Sequence, residues 1–152
     1  MKIETMECIK NIWWAFVLGV GSFMDIRKKS VPKIFMGAIC SVSAVMLLTG
    51  YLLSINNINF MQASVGVAIG AVVMAASFFS DGCIGMADAI LVLLTGLLFG
   101  YTGSIEMTLY AIFLAALVSI ILISLGKADR KSHIPFIPFM FLGYVIYSLR
   151  NV

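Results

Sequence analysis

The sequence predicts an all-α, polytopic membrane protein: a bundle of about six transmembrane helices that forms a single domain over residues 1–152. Hydrophobic residues make up 62% of the chain and charged residues only 11%, whereas soluble domains carry about 25% charged residues. A soluble fold of this length could not bury so much apolar surface, so lipid is the expected solvent. The apolar residues also form runs of about 20 residues, the length that crosses a bilayer.

Short polar connectors separate six of these runs, and they leave no room for a second domain. Each run is expected to be a helix, because hydrocarbon cannot satisfy open backbone groups. An outer-membrane barrel would instead alternate apolar and polar residues. The predicted spans are 9–26, 34–54, 60–80, 85–101, 105–125 and 135–149.

The first run has an apolar core followed by small residues, as a signal peptide does. Its charges have the opposite arrangement, because the basic flank lies after the core, at Arg27, Lys28 and Lys29. A signal peptide carries its basic residues before the core. The first run is therefore expected to be retained as a span.

The second and third runs lie on either side of the connector INNIN, and the third contains Gly66 and Gly70. The fourth run repeats this spacing with Gly96 and Gly100. Glycines four residues apart on a helix let a neighbouring backbone come close. Both pairs are therefore predicted to be helix-packing positions.

The fourth, fifth and sixth runs each begin with a distinctive residue. Asp88 stands near the start of the fourth run, Glu106 near the start of the fifth, and Pro135 and Pro138 at the start of the sixth. Prolines lose little in the first turn of a helix, because the N–H groups there have no partner within the helix. The two prolines are expected to fix how the chain re-enters the membrane.

The distribution of Lys and Arg predicts an orientation. Seven of the ten basic residues flank the first and fifth connectors: Arg27, Lys28, Lys29, Lys33, Lys127, Arg130 and Lys131. Cytoplasmic connectors carry the excess of basic residues. The expected location is the cell inner (plasma) membrane. The first, third and fifth connectors are expected on its cytoplasmic side, and both termini on its outer side.

Asp25 and Asp88 are then expected at the same membrane face, although they are 63 positions apart in the chain. They could simply mark helix ends in the headgroup region. Alternatively, two carboxylates held together in a low-dielectric site share a proton. The ionised acid could then activate a water that attacks a peptide carbonyl, while the protonated acid donates to the carbonyl oxygen. This chemistry requires no metal and no cofactor.

The other polar residues indicate no further site. Asp81 is expected to be a turn or N-cap residue, close enough to Asp88 to modulate the site. Asp129 is expected to be a solvated partner of its basic neighbours, and His133 a solvated loop residue. Glu106 is expected at the opposite membrane face. No basic stripe with interleaved aromatic residues occurs, so nucleic acid is not an expected partner.

Three stretches resemble the type IV prepilin peptidases, in the same order along the chain. The stretch MDIRKKSVPKIF resembles their first segment, in which an Asp ends a helix and a short basic stretch with IPN opens the next. The stretch GMADAILVLLTGLLFG resembles their GxGD segment, and IPFIPFMFLGYV resembles their last segment, typically IPFGPFLALG.

The resemblance implies an intramembrane aspartic endopeptidase. Such an enzyme removes the short basic leader of a prepilin or pseudopilin, a partner that presents a single helix, at the cytoplasmic face. Carried over by position, Asp25 and Asp88 are the catalytic acids. The residues implied to support the site or bind substrate are Gly85, Ala87, Pro135 and Pro138.

The chain departs from the family pattern at three positions. Ala87 replaces the second glycine of GxGD, Ile90 stands where many members have lysine, and Lys33 replaces the Asn of IPN. The first connector is also too short for the cysteine-rich domain of larger members, so N-methylation of the product is not implied. Two alternatives stay open: a catalytically degenerate scaffold or assembly protein of the same fold, and a small ion- or proton-coupled transporter. A transporter would favour acids near the bilayer midplane.

Overall fold

The computed structural model describes residues 2–28, 31–52, 60–79, 85–126 and 135–151. Within these ranges the chain forms α-helices and no strand, so the all-α prediction is confirmed. The helices are α1 (Lys2–Lys28), α2 (Lys33–Leu52), α3 (Phe60–Phe79), α4 (Met86–Ser124) and α5 (Ile137–Arg150).

The predicted number of six spans is not confirmed, because two of the described helices are long and apolar enough to cross a membrane. The predicted spans 85–101 and 105–125 fall almost entirely within α4. In the described part of the chain, Met61–Phe79 and Met86–Ser124 are long and apolar enough to cross a membrane. Lys33–Thr49 and Ile137–Arg150 are shorter apolar helices.

A sharp change of direction divides α4 at Gly100, which has φ 71° and ψ −174°. Glycine adopts positive φ without a steric penalty, because it has no Cβ. Just before this residue, Phe99 packs edge-on against Tyr144 and Tyr147 in the C-terminal part of α5. The first part of α4 therefore leads towards the C-terminal end of α5.

Beyond Gly100 the contacts run the other way along α5. A Cβ added to Gly103 would lie 3.3 Å from the Tyr147 hydroxyl, and one added to Gly143 would lie 2.5 Å from the carbonyl oxygen of Met107. The chain thus returns towards the N-terminal end of α5. The predicted connector at 101–104 is replaced by a single glycine turn one residue earlier.

Glycine also explains how closely α3 and α4 pack. A Cβ added to Gly66 would lie 2.5 Å from the carbonyl oxygen of Gly96, and Gly70 faces the backbone of Leu93. The predicted packing role of Gly66, Gly70 and Gly96 is therefore present in the structure. Gly100 has the same sequence spacing but serves as the turn.

The core joins α1, α4 and α5, with a smaller contribution from α2. Its fully buried side chains include Trp14, Leu18, Leu91 and Met140. The outward surface is also apolar, and the part of α4 beyond Gly100 exposes many large side chains, among them Phe113, Ile120, Ile121 and Ile123. Continuous apolar surface of this kind is characteristic of a protein solvated by lipid. Together with the two long apolar helices, it indicates a membrane location.

The bundle has two chemically different ends. At the end called here the Asp25 end, Asp25 of α1 meets Ile137 at the start of α5. At the other, called here the Glu106 end, Glu106 and Arg150 form an ion pair of 3.3 Å. Thirteen helical steps of about 1.5 Å separate Ile137 from Arg150, so the two ends are about 20 Å apart.

Candidate functional site

Asp25 lies near the C-terminal end of α1 and is 9% exposed. Its Oδ2 accepts a hydrogen bond of 3.2 Å from the backbone N–H of Ile137. An N–H at the start of a helix is a favourable partner for a carboxylate, because it is left without an intrahelical acceptor and lies at the positive end of the helix dipole. The contact fixes the Asp25 carboxylate against α5.

The start of α5 leaves this N–H available. Phe136 is the N-cap, and its carbonyl oxygen accepts the N–H groups of Phe139 at 3.0 Å and Met140 at 3.1 Å. Pro138 has no N–H to offer. Ile137 is therefore the donor that remains in the first turn, and Asp25 uses it.

Asp88 lies in the first turn of α4 and is half-buried. Gly85 is the N-cap of this helix, with φ −64° and ψ 132°. A Cβ added to Gly85 would lie 2.7 Å from Oδ2 of Asp88. The missing side chain at Gly85 therefore makes room for the Asp88 carboxylate.

The two acids lie near each other, since Asp25 is one of the groups that act electrostatically on Asp88. Gly85 adjoins Asp88, and Pro138 belongs to the helix start that holds Asp25. Pro135 precedes that helix and is half-buried. The structure thus brings most of the sequence-predicted residues to one end of the bundle.

The remaining residues considered in the sequence either make other contacts or fall outside the described ranges. Ala87 is half-buried and packs, like Ile90, against the hydrophobic core. Glu106 lies at the far end with Arg150, as predicted. Asp81, Asp129 and His133 lie outside the described residues.

Two groups beside Asp25 were not predicted from the sequence. One is the backbone N–H of Ile137, which carries no side-chain signal in the sequence. The other is Ser22, a buried hydroxyl one helical turn before Asp25. The spacing of Ser22 and Asp25 on one helix could have identified it.

The arrangement provides two carboxyl groups and one oriented backbone donor at the end of an apolar bundle. Carboxyl groups can accept and donate protons to a reacting bond without a metal. The chain matches the type IV leader peptidase family over residues 12–120, a range that includes Asp25, Gly85, Ala87 and Asp88. The match ends before the prolines at the start of α5. Neither the curated proteins nor the solved structures gave a significant match.

Proposed function

Because the chain belongs to the type IV leader peptidase family, we propose that it is an intramembrane aspartic endopeptidase whose catalytic acids are Asp25 and Asp88. The family implies protease activity. The observation that carries the aspartic assignment is the buried Asp25 carboxylate, which is held by the Ile137 N–H and interacts electrostatically with Asp88.

The reaction needs one proton acceptor and one proton donor. The ionised acid takes a proton from a water molecule, whose oxygen attacks the carbonyl carbon of the scissile peptide bond. The protonated acid donates its proton to the carbonyl oxygen, which gives a neutral tetrahedral diol. The proton taken from water then passes to the leaving nitrogen as the C–N bond breaks, and one diol hydroxyl returns a proton to the acid that had donated its own. The products are a carboxyl group and a free amine, and one acid of the pair is again protonated.

The proposed substrate is a prepilin or pseudopilin with a short basic leader and a single apolar helix. Arg27 and Lys33 are exposed near the Asp25 end, and basic residues favour the cytoplasmic side of a membrane. A catalytic pair at that end reaches a peptide bond near the cytoplasmic interface. The same preference of basic residues for the cytoplasmic side would keep a basic leader there.

A degenerate scaffold is the alternative within the same family. It is motivated by Ala87 and Ile90, which differ from the family pattern. Both side chains pack against the hydrophobic core, so their apolar character has a structural role that does not require loss of catalysis. A leader-peptidase-like enzyme therefore remains the better supported function.

Co-expression with candidate prepilins tests the proposal. The expected product is a shortened protein whose new N-terminus lies between the basic leader and the apolar helix, identified by mass spectrometry. Candidates that all keep their leaders, in cells where the protein is inserted and folded, would contradict the protease assignment and favour the scaffold.

Gly85→Ala is expected to lower the cleavage rate about tenfold with little change in stability. The backbone at Gly85 suits any residue, but the added Cβ would displace the Asp88 carboxylate. A shift of about 1 Å at a catalytic group is costly to rate. The rate is measured with purified enzyme and a prepilin in detergent micelles.

Ala87→Gly is the matched control, since it changes one methyl group in the same turn of α4. It removes a half-buried methyl from the core edge and leaves the space around Asp88 unchanged, so the rate should stay near that of the wild type. Equal rates for Gly85→Ala and Ala87→Gly would show that Gly85 does not make room for a catalytic group.

The proposed orientation predicts a labelling pattern for a membrane-impermeant thiol reagent applied to intact cells. Lys33→Cys, near the Asp25 end, should be shielded, whereas Thr102→Cys, just beyond the Gly100 turn, should be labelled. Both positions are exposed. The background lacks the native thiols Cys8, Cys40 and Cys83.

Permeabilised cells provide the control, since both cysteines should then react. The reverse pattern in intact cells would place Asp25 at the outer face. A leader retained in the cytoplasm could not reach the acids in that case.

A further inference from the structure

We propose that Ser22 is a positioning residue for Asp25: its hydroxyl donates a hydrogen bond to the carboxylate beside the N–H of Ile137. The kinetic test of this inference rests on the proposed protease function. The hydrogen bond itself is tested by a stability measurement that does not depend on activity.

The helical geometry brings the two side chains together. Ser22 and Asp25 are three residues apart on α1, so they share one face with their Cβ atoms about 5–6 Å apart. Side chains on a helix lean towards its N-terminus, which directs Asp25 back over Ser22. The same face meets α5, because a Cβ added to Gly21 would lie 3.3 Å from Cγ2 of Ile137.

Ser22 is 8% exposed, and its hydroxyl oxygen has no hydrogen-bond partner among the described residues. Leaving a buried polar group unsatisfied is unfavourable, and a native protein usually gives such a group a partner or a function. A serine can change between staggered χ1 rotamers, and its hydroxyl proton turns about the C–O bond. The proposed bond needs such a change at Ser22, because its hydroxyl is unpartnered in the part of the chain that the structure describes. A strong acceptor on the same helix face, three residues further along α1, is the Asp25 carboxylate.

Two other helical hydroxyls in the described residues donate to the preceding turn of their own helix. Thr95 donates to the carbonyl oxygen of Leu91 at 2.7 Å, and Ser119 donates to that of Ala115 at 2.6 Å. Ser22 does not make this back-bond to the preceding turn. Its hydroxyl therefore stays available for Asp25.

Three further buried hydroxyls also lack a partner in the described ranges: Ser43, Ser104 and Thr108. Ser104 and Thr108 follow the Gly100 turn, on either side of Glu106, and Ser43 lies on α2, ten residues after Lys33. Ser22 is the member of this group that shares a helix face with a candidate catalytic acid.

Asp25 has an acceptor free for this bond. Within the described part of the chain, its carboxylate accepts one hydrogen bond, at Oδ2 from Ile137. A second donor from α1 would hold the carboxylate plane between α1 and α5. Fixing a proton acceptor in the reactive orientation raises the rate of the chemical step more than it changes substrate binding.

The kinetic test compares Ser22→Ala with Ser22→Thr in the cleavage assay. Ser22→Ala should lower kcat about tenfold with KM changed less than about twofold, since one hydrogen bond to a charged group is lost. Ser22→Thr keeps the hydroxyl and should restore most of the rate. Ser43→Ala is the matched control, a buried and similarly unpartnered serine, and it should leave kcat unchanged.

The second test is a double-mutant cycle of unfolding in detergent, with Ser22→Ala, Asp25→Ala and the double variant. The proposal expects coupling: after Asp25→Ala, the further loss of the Ser22 hydroxyl should change the midpoint much less than it does in the wild type. Additive shifts would overturn the proposed hydrogen bond, and so would equal kcat for Ser22→Ala and the wild type.

The two proposals fail separately. Coupling in the cycle together with no cleavage of any prepilin by the wild type would support the Ser22–Asp25 bond and overturn the protease function. Normal cleavage together with additive shifts would retain the protease function and overturn the role of Ser22.

Discussion

Asp25→Asn and Asp88→Asn are each expected to abolish leader cleavage while the protein still inserts and folds. Asn keeps the size of Asp but cannot exchange a proton at neutral pH, so each change removes one half of the acid–base pair. The expected loss of rate is about a hundredfold to ten-thousandfold for either variant. Asn at position 25 can still accept the Ile137 N–H, so the contact with α5 is kept.

Glu106→Gln is the matched control for this pair. It makes the same carboxyl-to-amide change at the opposite end of the bundle, where Glu106 pairs with Arg150, and it should retain the wild-type rate. Rates are measured by the appearance of mature prepilin, and folding by elution and thermal unfolding in detergent. Substantial cleavage by either Asp variant would show that the protein does not use Asp25 and Asp88 as a catalytic pair.

Loss of leader cleavage in both single variants would also exclude the simpler explanation that the acids only mark helix ends in the headgroup region. A marker residue tolerates replacement by an uncharged isostere, because its role is to keep the helix end near water. The transporter alternative predicts sensitivity of ion movement, not of prepilin processing, to the same two changes.

The helical content and the shared end of the two acids could be predicted from the sequence, because both depend on local composition. Apolar runs of membrane length predict helices, and the basic residues after Asp25 predict which helix ends lie together. Glu106 was excluded from the acid pair by the same reasoning, and it lies at the far end with Arg150.

The contacts between distant segments could not be predicted in this way. The hydrogen bond from Ile137 to Asp25 joins residues 112 positions apart, and its donor is a backbone group that every residue other than proline possesses. The packing of α1 against α5 likewise gives no periodic pattern of apolar and polar residues in the sequence, since lipid-facing and core-facing side chains are both apolar. The sequence therefore indicated that Pro138 mattered but not that the neighbouring N–H contacts an acid.

The glycines of the fourth run also show what sequence spacing alone cannot predict. Gly96 and Gly100 have the spacing that predicts close helix packing, and Gly96 does pack against Gly66. Gly100 has positive φ and reverses the path of α4 along α5. Sequence spacing does not distinguish a glycine needed for close approach from one needed for its backbone conformation.

Gly96→Ala is expected to destabilise the protein by about 1–3 kcal/mol, the usual cost of overpacking a tight interface. A Cβ at Gly96 would meet the backbone of Gly66, and a Cβ at Gly66 would lie 2.5 Å from the carbonyl oxygen of Gly96. A side-chain end can rotate away from such a contact, but two helix backbones must move apart. The displacement of α3 from α4 should lower the midpoint of unfolding in detergent, measured with the activity of the same samples.

Gly37→Ala makes the identical chemical change in α2, where a Cβ at Gly37 would have no neighbour within 4 Å. It should leave stability unchanged or raise it by up to about 1 kcal/mol, because alanine favours the helix more than glycine does. Gly96→Ala should therefore lower the unfolding midpoint, whereas Gly37→Ala should not. Equal shifts would mean that α3 and α4 do not meet at Gly66 and Gly96. Asp88 lies two helical turns before Gly96 on the same helix. If the Gly96→Ala protein is less stable but still cleaves prepilin at low temperature, the contact between α3 and α4 supports the fold and is not required for catalysis.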